Sequence, residues 1–136
     1  RWSFGNVFYP QYIKELNIEW KDGFIVGSEG TSSHNWHWCS SEGTLAINNT
    51  SDQDRKFVMS GVFATGHPEM SNFEIESTLF NENMKISSEG HAYKKEFIIP
   101  PGSYDIKFTS DAKRVDAPTD PRTLVFRIFN FELTEK

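Results

Sequence analysis

Apolar and polar residues alternate along most of this chain, and helical stripes are weak throughout. The stretch Thr44 to Asn48 alternates and ends in the polar loop Asn49 to Asp54. Lys56 to Thr65 is longer, with Phe57, Met59 and Phe63 on one face and Val58, Val62 and Ala64 on the other. Apolar residues on both faces predict a central strand, closed by Gly66-His67-Pro68-Glu69. From Asn72 to Phe80, Phe73, Ile75, Ser77 and Leu79 are predicted to point inward, opposite Glu74, Glu76 and Thr78. Asn81-Glu82-Asn83 then reads as a tight turn into Met84-Lys85-Ile86.

Ala92 to Ile99 is the next predicted strand, stopped by Pro100-Pro101-Gly102. Tyr104, Ile106 and Phe108 form the apolar side of another. A polar loop from Ser110 to Pro121 leads into the strongest signal, Arg122 to Thr134. There Leu124, Phe126 and Ile128 share one face, while Val125, Phe129, Phe131 and Leu133 fall mainly on the other. A change of face near Phe129 predicts a bulge. The best helical spacing, Tyr12, Ile13, Leu16 and Trp20 within Pro10 to Trp20, is short and meets a turn at Lys21-Asp22-Gly23. It reads as one helical turn followed by a strand from Leu16 to Trp20. The whole pattern predicts an all-β, antiparallel, jelly-roll-like sandwich of about eight or nine strands, spanning 1–136 as one domain.

Composition supports sheet: the aromatic share is 15%, with 12 Phe, and these residues suit half-buried pleated surfaces. With 14 Lys+Arg against 19 Asp+Glu, net charge is -5 and no basic run exists, which excludes the phosphate-neutralising surface that nucleic acid needs. No stretch approaches the roughly 20 apolar residues of a membrane span. No signal peptide is visible, and the start at Arg1-Trp2 without Met reads as a fragment of a longer protein or a processed chain. Cys39 is the single cysteine, so no internal disulfide is available. It reads as a small buried apolar residue, and a lone thiol fits a reducing compartment.

The densest candidate chemistry is His34-Asn35-Trp36-His37-Trp38-Cys39. In extended chain Trp36 and Trp38 share a face, and His37 and Cys39 share the other. Two exposed tryptophans would stack on the C–H faces of sugar rings. Buried, they would be sandwich core. His34 and His37 lack the further ligands a zinc site requires, since His67 and His91 stand at no recognisable spacing. Asp111, Asp116 and Asp120 share one loop whose carboxylates and backbone carbonyls could hold calcium, although the spacing is not that of an EF-hand. Lys113, Arg114 and Arg122 lie among these acids, so an ion-paired loop is the plainer reading. Glu74 and Glu76 share a strand face, as a glycosidase pair would, but two exposed strand acids are ordinarily solvated. No G-x-S-x-G, H-E-x-x-H, P-loop or G-x-G-x-x-G occurs. Asn48-Asn49-Thr50 and Asn49-Thr50-Ser51 match the N-glycosylation pattern, which arises often by chance.

Two segments together resemble a known family. One runs from Phe8-Tyr9 to Trp36-His37-Trp38 and on through Gly43 to Asn49. The other runs from Pro101-Gly102 through Ile106-Lys107-Phe108 and Ser110-Asp111-Ala112 to Asp120-Pro121-Arg122 and the apolar strand ending at Arg127-Ile128. They resemble β-sandwich accessory domains, carbohydrate-binding-like, of bacterial glycosyltransferases and surface-polysaccharide proteins. The resemblance implies association with polysaccharide synthesis or export, a glycan or polysaccharide partner, a neighbouring glycosyltransferase domain in the parent chain, and a cytoplasmic position on the assembly side of the envelope. Asp120-Pro121-Arg122 also has a structural reading, with Pro121 fixing a turn that Asp120 caps and Arg122 pairing with an acid.

The expectation is a non-catalytic module that binds glycan through His34, Trp36, His37, Trp38, Arg122 and Arg127, with no cofactor, calcium in the acidic loop being the exception to test. The competing readings are a structural or protein-interaction domain that packs on a neighbouring enzyme domain or self-associates through an exposed aromatic patch, and a small hydrolase using Glu74 and Glu76.

Overall fold

A computed structural model describes residues 16–25 and 27–136. The predicted helical turn near Tyr12 and Ile13, and the Phe8-Tyr9 start of the resemblance, lie outside them. The described residues form ten strands and no helix. These are β1 (Asn17–Lys21), β2 (Glu29–Gly30), β3 (Asn35–Cys39), β4 (Glu42–Asn49), β5 (Arg55–Thr65), β6 (Ser71–Glu76), β7 (Glu82–Ile86), β8 (His91–Ile99), β9 (Gly102–Ser110) and β10 (Phe126–Glu135). They build two five-stranded antiparallel sheets, ordered β1-β4-β9-β6-β7 and β2-β3-β10-β5-β8. The all-β antiparallel sandwich expected from the alternation is therefore present, with ten strands in place of eight or nine.

The core lies between the sheets, where the period-2 positions meet. Leu45 and Ile47, Phe73 and Ile75, and Ile106 and Phe108 face inward from the first sheet. Phe57, Met59, Phe63, Phe97, Ile99, Phe126 and Ile128 face them from the second. Aromatic contacts cross the gap: Phe63 lies 4.6 Å from Phe73, and Phe73 meets Phe126 edge-on at 5.1 Å. Cys39 is 0% exposed within this core. Gly43 is required beside it, because a Cβ there would collide with the Cys39 Sγ and the Phe24 ring.

Strand β5 is central, between β10 and β8, as its two apolar faces predicted. Strand β6 stops at Glu76, earlier than the alternation to Phe80 suggested. Side chains end it: the Ser77 amide donates to Asn81 Oδ1 at 3.3 Å, and the Leu79 amide donates to Ser77 Oγ at 3.1 Å. Asn81 thus closes the turn, and Glu82 and Asn83 already belong to β7.

The bulge in β10 is present. Pairing with β5 slips between Phe129 and Glu132, so that Asn130 and Phe131 together stand opposite Gly61. Asn130 takes the left-handed conformation, φ 50°, which Asn tolerates better than most side chains. Its Oδ1 accepts the Asn35 amide at 3.0 Å, tying the start of β3 to the bulge. Phe129 faces outward by simple alternation from Ile128, and the extra residue after it returns Phe131 and Leu133 to the core side.

Candidate functional site

The bulge shapes the outer face of the second sheet. Cross-strand register places Glu29, Trp36, Phe129, Val62 and Ala92 in one row on β2, β3, β10, β5 and β8. A second row holds Trp38, Arg127 and Ala64. Tall aromatic residues on β3 and β10 therefore stand beside small ones on β5 and β8. The step between them is a groove of about 540 Å³, lined by His34, Trp36, Arg127 and Phe129 on one side and Ala64 and Gly90 on the other. That volume lies within the roughly 300–1,000 Å³ of small-molecule sites. A second hollow of about 420 Å³ shares Val62 and Asn130 with it and reaches Lys94.

Trp36 and Trp38 share a face, as their spacing requires, but play different parts. Trp38 is only 9% exposed, whereas Trp36 is half-buried and lines the groove. The Arg127 guanidinium packs on Trp38, with its carbon 4.7 Å from the ring centre. It also lies 5.3 Å from the Trp36 ring and 4.3 Å from the Phe129 ring, a cation held among three aromatic rings. His34 stacks on Phe129 at 5.4 Å and forms the exposed end of this surface. It is positioned by a turn in which its amide donates to Thr31 Oγ1 at 3.1 Å.

Four of the six expected site residues thus meet: His34, Trp36, Trp38 and Arg127. His37 faces the opposite way and stacks on Trp20 of β1 at 4.1 Å, bridging the two sheets. Burial pushes its pKa down. Arg122 stands away from the groove's lining, held by two acids. Its Nε donates to Asp120 Oδ1 at 3.0 Å, its Nη2 to Asp120 Oδ2 at 2.8 Å and its Nη1 to Glu29 Oε2 at 2.8 Å. This guanidinium and the Arg122 amide hold the Asp120 carboxyl down at about 2. A ligand at Arg122 would first have to displace carboxylates.

Asp111 in the acidic loop is similarly committed, whereas Asp116 is exposed and pairs with no side chain among the described residues. Asp111 accepts the Asn72 amide and Nδ2, both at 2.8 Å, and these bonds depress its pKa. Among the described residues no three His, Cys, Asp or Glu side chains gather as a metal would require. On the outer face of the first sheet Glu76 pairs with Lys107 at 3.4 Å, and Lys107 also reaches Glu42 at 3.0 Å. Glu74 lines a smaller hollow of about 270 Å³ with Asn72, Thr109 and Asp111. Asn49, the second glycosylation-pattern residue, is 2% exposed and fully engaged. Its Nδ2 donates to the Gln53 and Ile99 carbonyls, and its Oδ1 accepts from the Ser51 amide and hydroxyl.

Residues absent from the sequence expectation complete the groove. Phe129 supplies an aromatic wall. Val62 and Ala64 supply the floor, and Ser88, Glu89 and Gly90 the far rim. The two-sided apolar pattern of β5 and the face change at Phe129 were the signals for them. No helix among the described residues is long and apolar enough to cross a membrane.

No family model matches the chain. No curated protein matches it. Among solved structures, one described as "CBM4 structure and function", a carbohydrate-binding module, overlaps with a TM-score of 0.48 at 9% identity, covering 93% of this chain and 82% of that one. The C-terminal CBM6 of LamC from Zobellia galactanivorans overlaps with a TM-score of 0.43 at 8% identity, covering 88% of this chain and 99% of that one. Likeness of this degree transfers no ligand and no residue roles.

Proposed function

We propose that this chain is a non-catalytic carbohydrate-binding module, and that its site is the groove on the outer face of the second sheet. The observation that carries the reading is an open groove with half-buried Trp36 and Phe129 along one wall and polar groups of His34, Ser88, Glu89 and Asn130 around it. Flat apolar rings fit the C–H faces of sugars, and scattered donors and acceptors fit their hydroxyls. Glu74 and Glu76 lie on the other sheet, and Glu76 is engaged by Lys107, so the acids of the hydrolase reading take no part in this groove.

Titration of the labelled protein with a panel of soluble oligosaccharides, followed by the indole N–H signals in NMR, tests the site. Binding should move Trp36 strongly. Trp36→Ala should weaken affinity roughly tenfold or more, the loss expected from removing an aromatic contact worth about 1.4 kcal/mol or more. A panel that leaves Trp36 unmoved while sedimentation shows a dimer burying the same face would establish the protein-interaction reading instead.

The tie to bacterial polysaccharide synthesis or export, with a glycosyltransferase domain in the same chain, rests on the sequence resemblance that includes Asp120-Pro121-Arg122. Reading the coding region around this segment tests it, and a parent without such a domain would remove that part.

A further inference from the structure

We infer that the groove selects acidic saccharides, with the carboxylate or sulfate of a sugar ring received by the Arg127 guanidinium. This rests on the carbohydrate reading above and narrows its ligand class. Among the described residues four cations are ion-paired and eight, Arg127 among them, are not; Arg127 differs from the other seven in lying among aromatic rings in the groove. Arg55 is paired with Glu135, Arg122 with Asp120 and Glu29, Lys107 with Glu42 and Glu76, and Lys21 with Asp105. Arg127 makes no ion pair and no side-chain hydrogen bond among the described residues, although it lines the groove. Its nearest acidic neighbour in sequence register, Glu29 beside Trp36, is already committed to Arg122.

The rings around Arg127 sharpen this. Trp36, Trp38 and Phe129 lie 4.3–5.3 Å from the guanidinium carbon, and their rings offer its N–H donors no oxygen acceptor. Its Nε is buried and unpartnered. A planar fork placed in this way is preorganised for the two oxygens of a carboxylate or sulfate. Lys94, in the adjoining hollow, adds positive charge, while Glu89 on the far rim disfavours an anion at that end. The anionic group is therefore placed on the Arg127 side, with the ring plane against Trp36.

Calorimetry with three matched probes decides the point: an oligogalacturonate, its methyl ester, and a sulfated galactan oligosaccharide. The first and third separate carboxylate from sulfate, and the ester keeps the ring while removing the charge. The acid should bind at least about tenfold more tightly than the ester, and the gap should shrink between about 50 and 500 mM salt. Arg127→Gln should abolish the gap and Arg127→Lys should retain part of it, with circular dichroism checking that each variant is folded. Equal affinity for acid and ester, or a gap that survives Arg127→Gln, overturns the inference while leaving the groove a neutral-glycan site. The acid-to-ester comparison on the unaltered protein needs no variant to fold. Absence of binding by all three probes and by neutral oligosaccharides overturns this inference together with the carbohydrate reading.

Discussion

Asn49 shows how a single residue can carry weight that its sequence context disguises. Read linearly it is one of two overlapping glycosylation patterns. In the fold it is a buried amide whose donor and acceptor sides are both used, joining the end of β4 to the 51–53 turn and to β8. Asn49→Ala should cost roughly 2–3 kcal/mol in denaturant unfolding, because the Ile99 carbonyl loses its side-chain donor in a buried setting. Asn48→Ala, whose partner is the exposed Ser103, should change stability by less than about 1 kcal/mol. His37 was expected at the ligand and instead packs on Trp20. The neighbouring positions Trp36 and His37 point apart by strand geometry alone, but which face is the outer one depends on the partner sheet, and no local pattern contains that. Its depressed pKa has a definite sign. The unfolded chain takes up the proton first, so the contribution is fully present above about pH 6.5 and is lost as pH falls below it. Thermal melts between pH 8 and pH 5, about the range where histidine titrates, should fall less steeply for His37→Phe than for the parent protein.

At the scale of strands, β4, β5, β8 and β9 were legible because each alternates over many residues and ends at a turn or a Gly or Pro. Strand β6 was read too long because Ser77 and Leu79 continue its alternation, while the turn is set by hydrogen bonds of Ser77 and Asn81 that alternation does not encode. Strand β2, with two residues, has no period to detect. The bulge in β10 was legible because a fixed period of two cannot place Ile128, Phe129, Phe131 and Leu133 without an extra residue. Asn130→Gly keeps the left-handed backbone and loses one hydrogen bond, whereas Asn130→Val adds strain at φ 50°. Chemical denaturation should therefore find the valine variant less stable than the glycine variant by about 1 kcal/mol or more. The Asp120–Arg122 clamp anchors the loop before β10. Its folded pKa near 2 lies below the ordinary 3.8, so its support is present above about pH 4 and disappears as pH falls toward 2. Carboxyl NMR titration should find the low value for Asp120, and Arg122→Gln should raise it.

For the molecule as a whole, sheet membership separates function from structure. The inner faces are almost wholly hydrocarbon and aromatic, and Phe63 at their centre touches Phe73, Tyr93 and Phe108. Phe63→Ala should lower stability by about 3–5 kcal/mol while leaving the outer groove's lining in place, so any residual folded protein should retain ligand affinity. The groove could not be read from sequence as a unit, because its walls come from β3 and β10 and its floor from β5, far apart along the chain. The Trp-x-Trp spacing located one wall. Arg127 was named, but its place among three rings follows only from the β3–β10 register. The buried thiol of Cys39 offers a different use of the same architecture. Wholly enclosed, with its ionisation suppressed by burial and by the nearby Glu42, it can meet an alkylating reagent only when the sheets part. Its labelling rate is therefore a built-in clock for whole-domain opening, one that can be read in dilute samples without introducing a reporter residue.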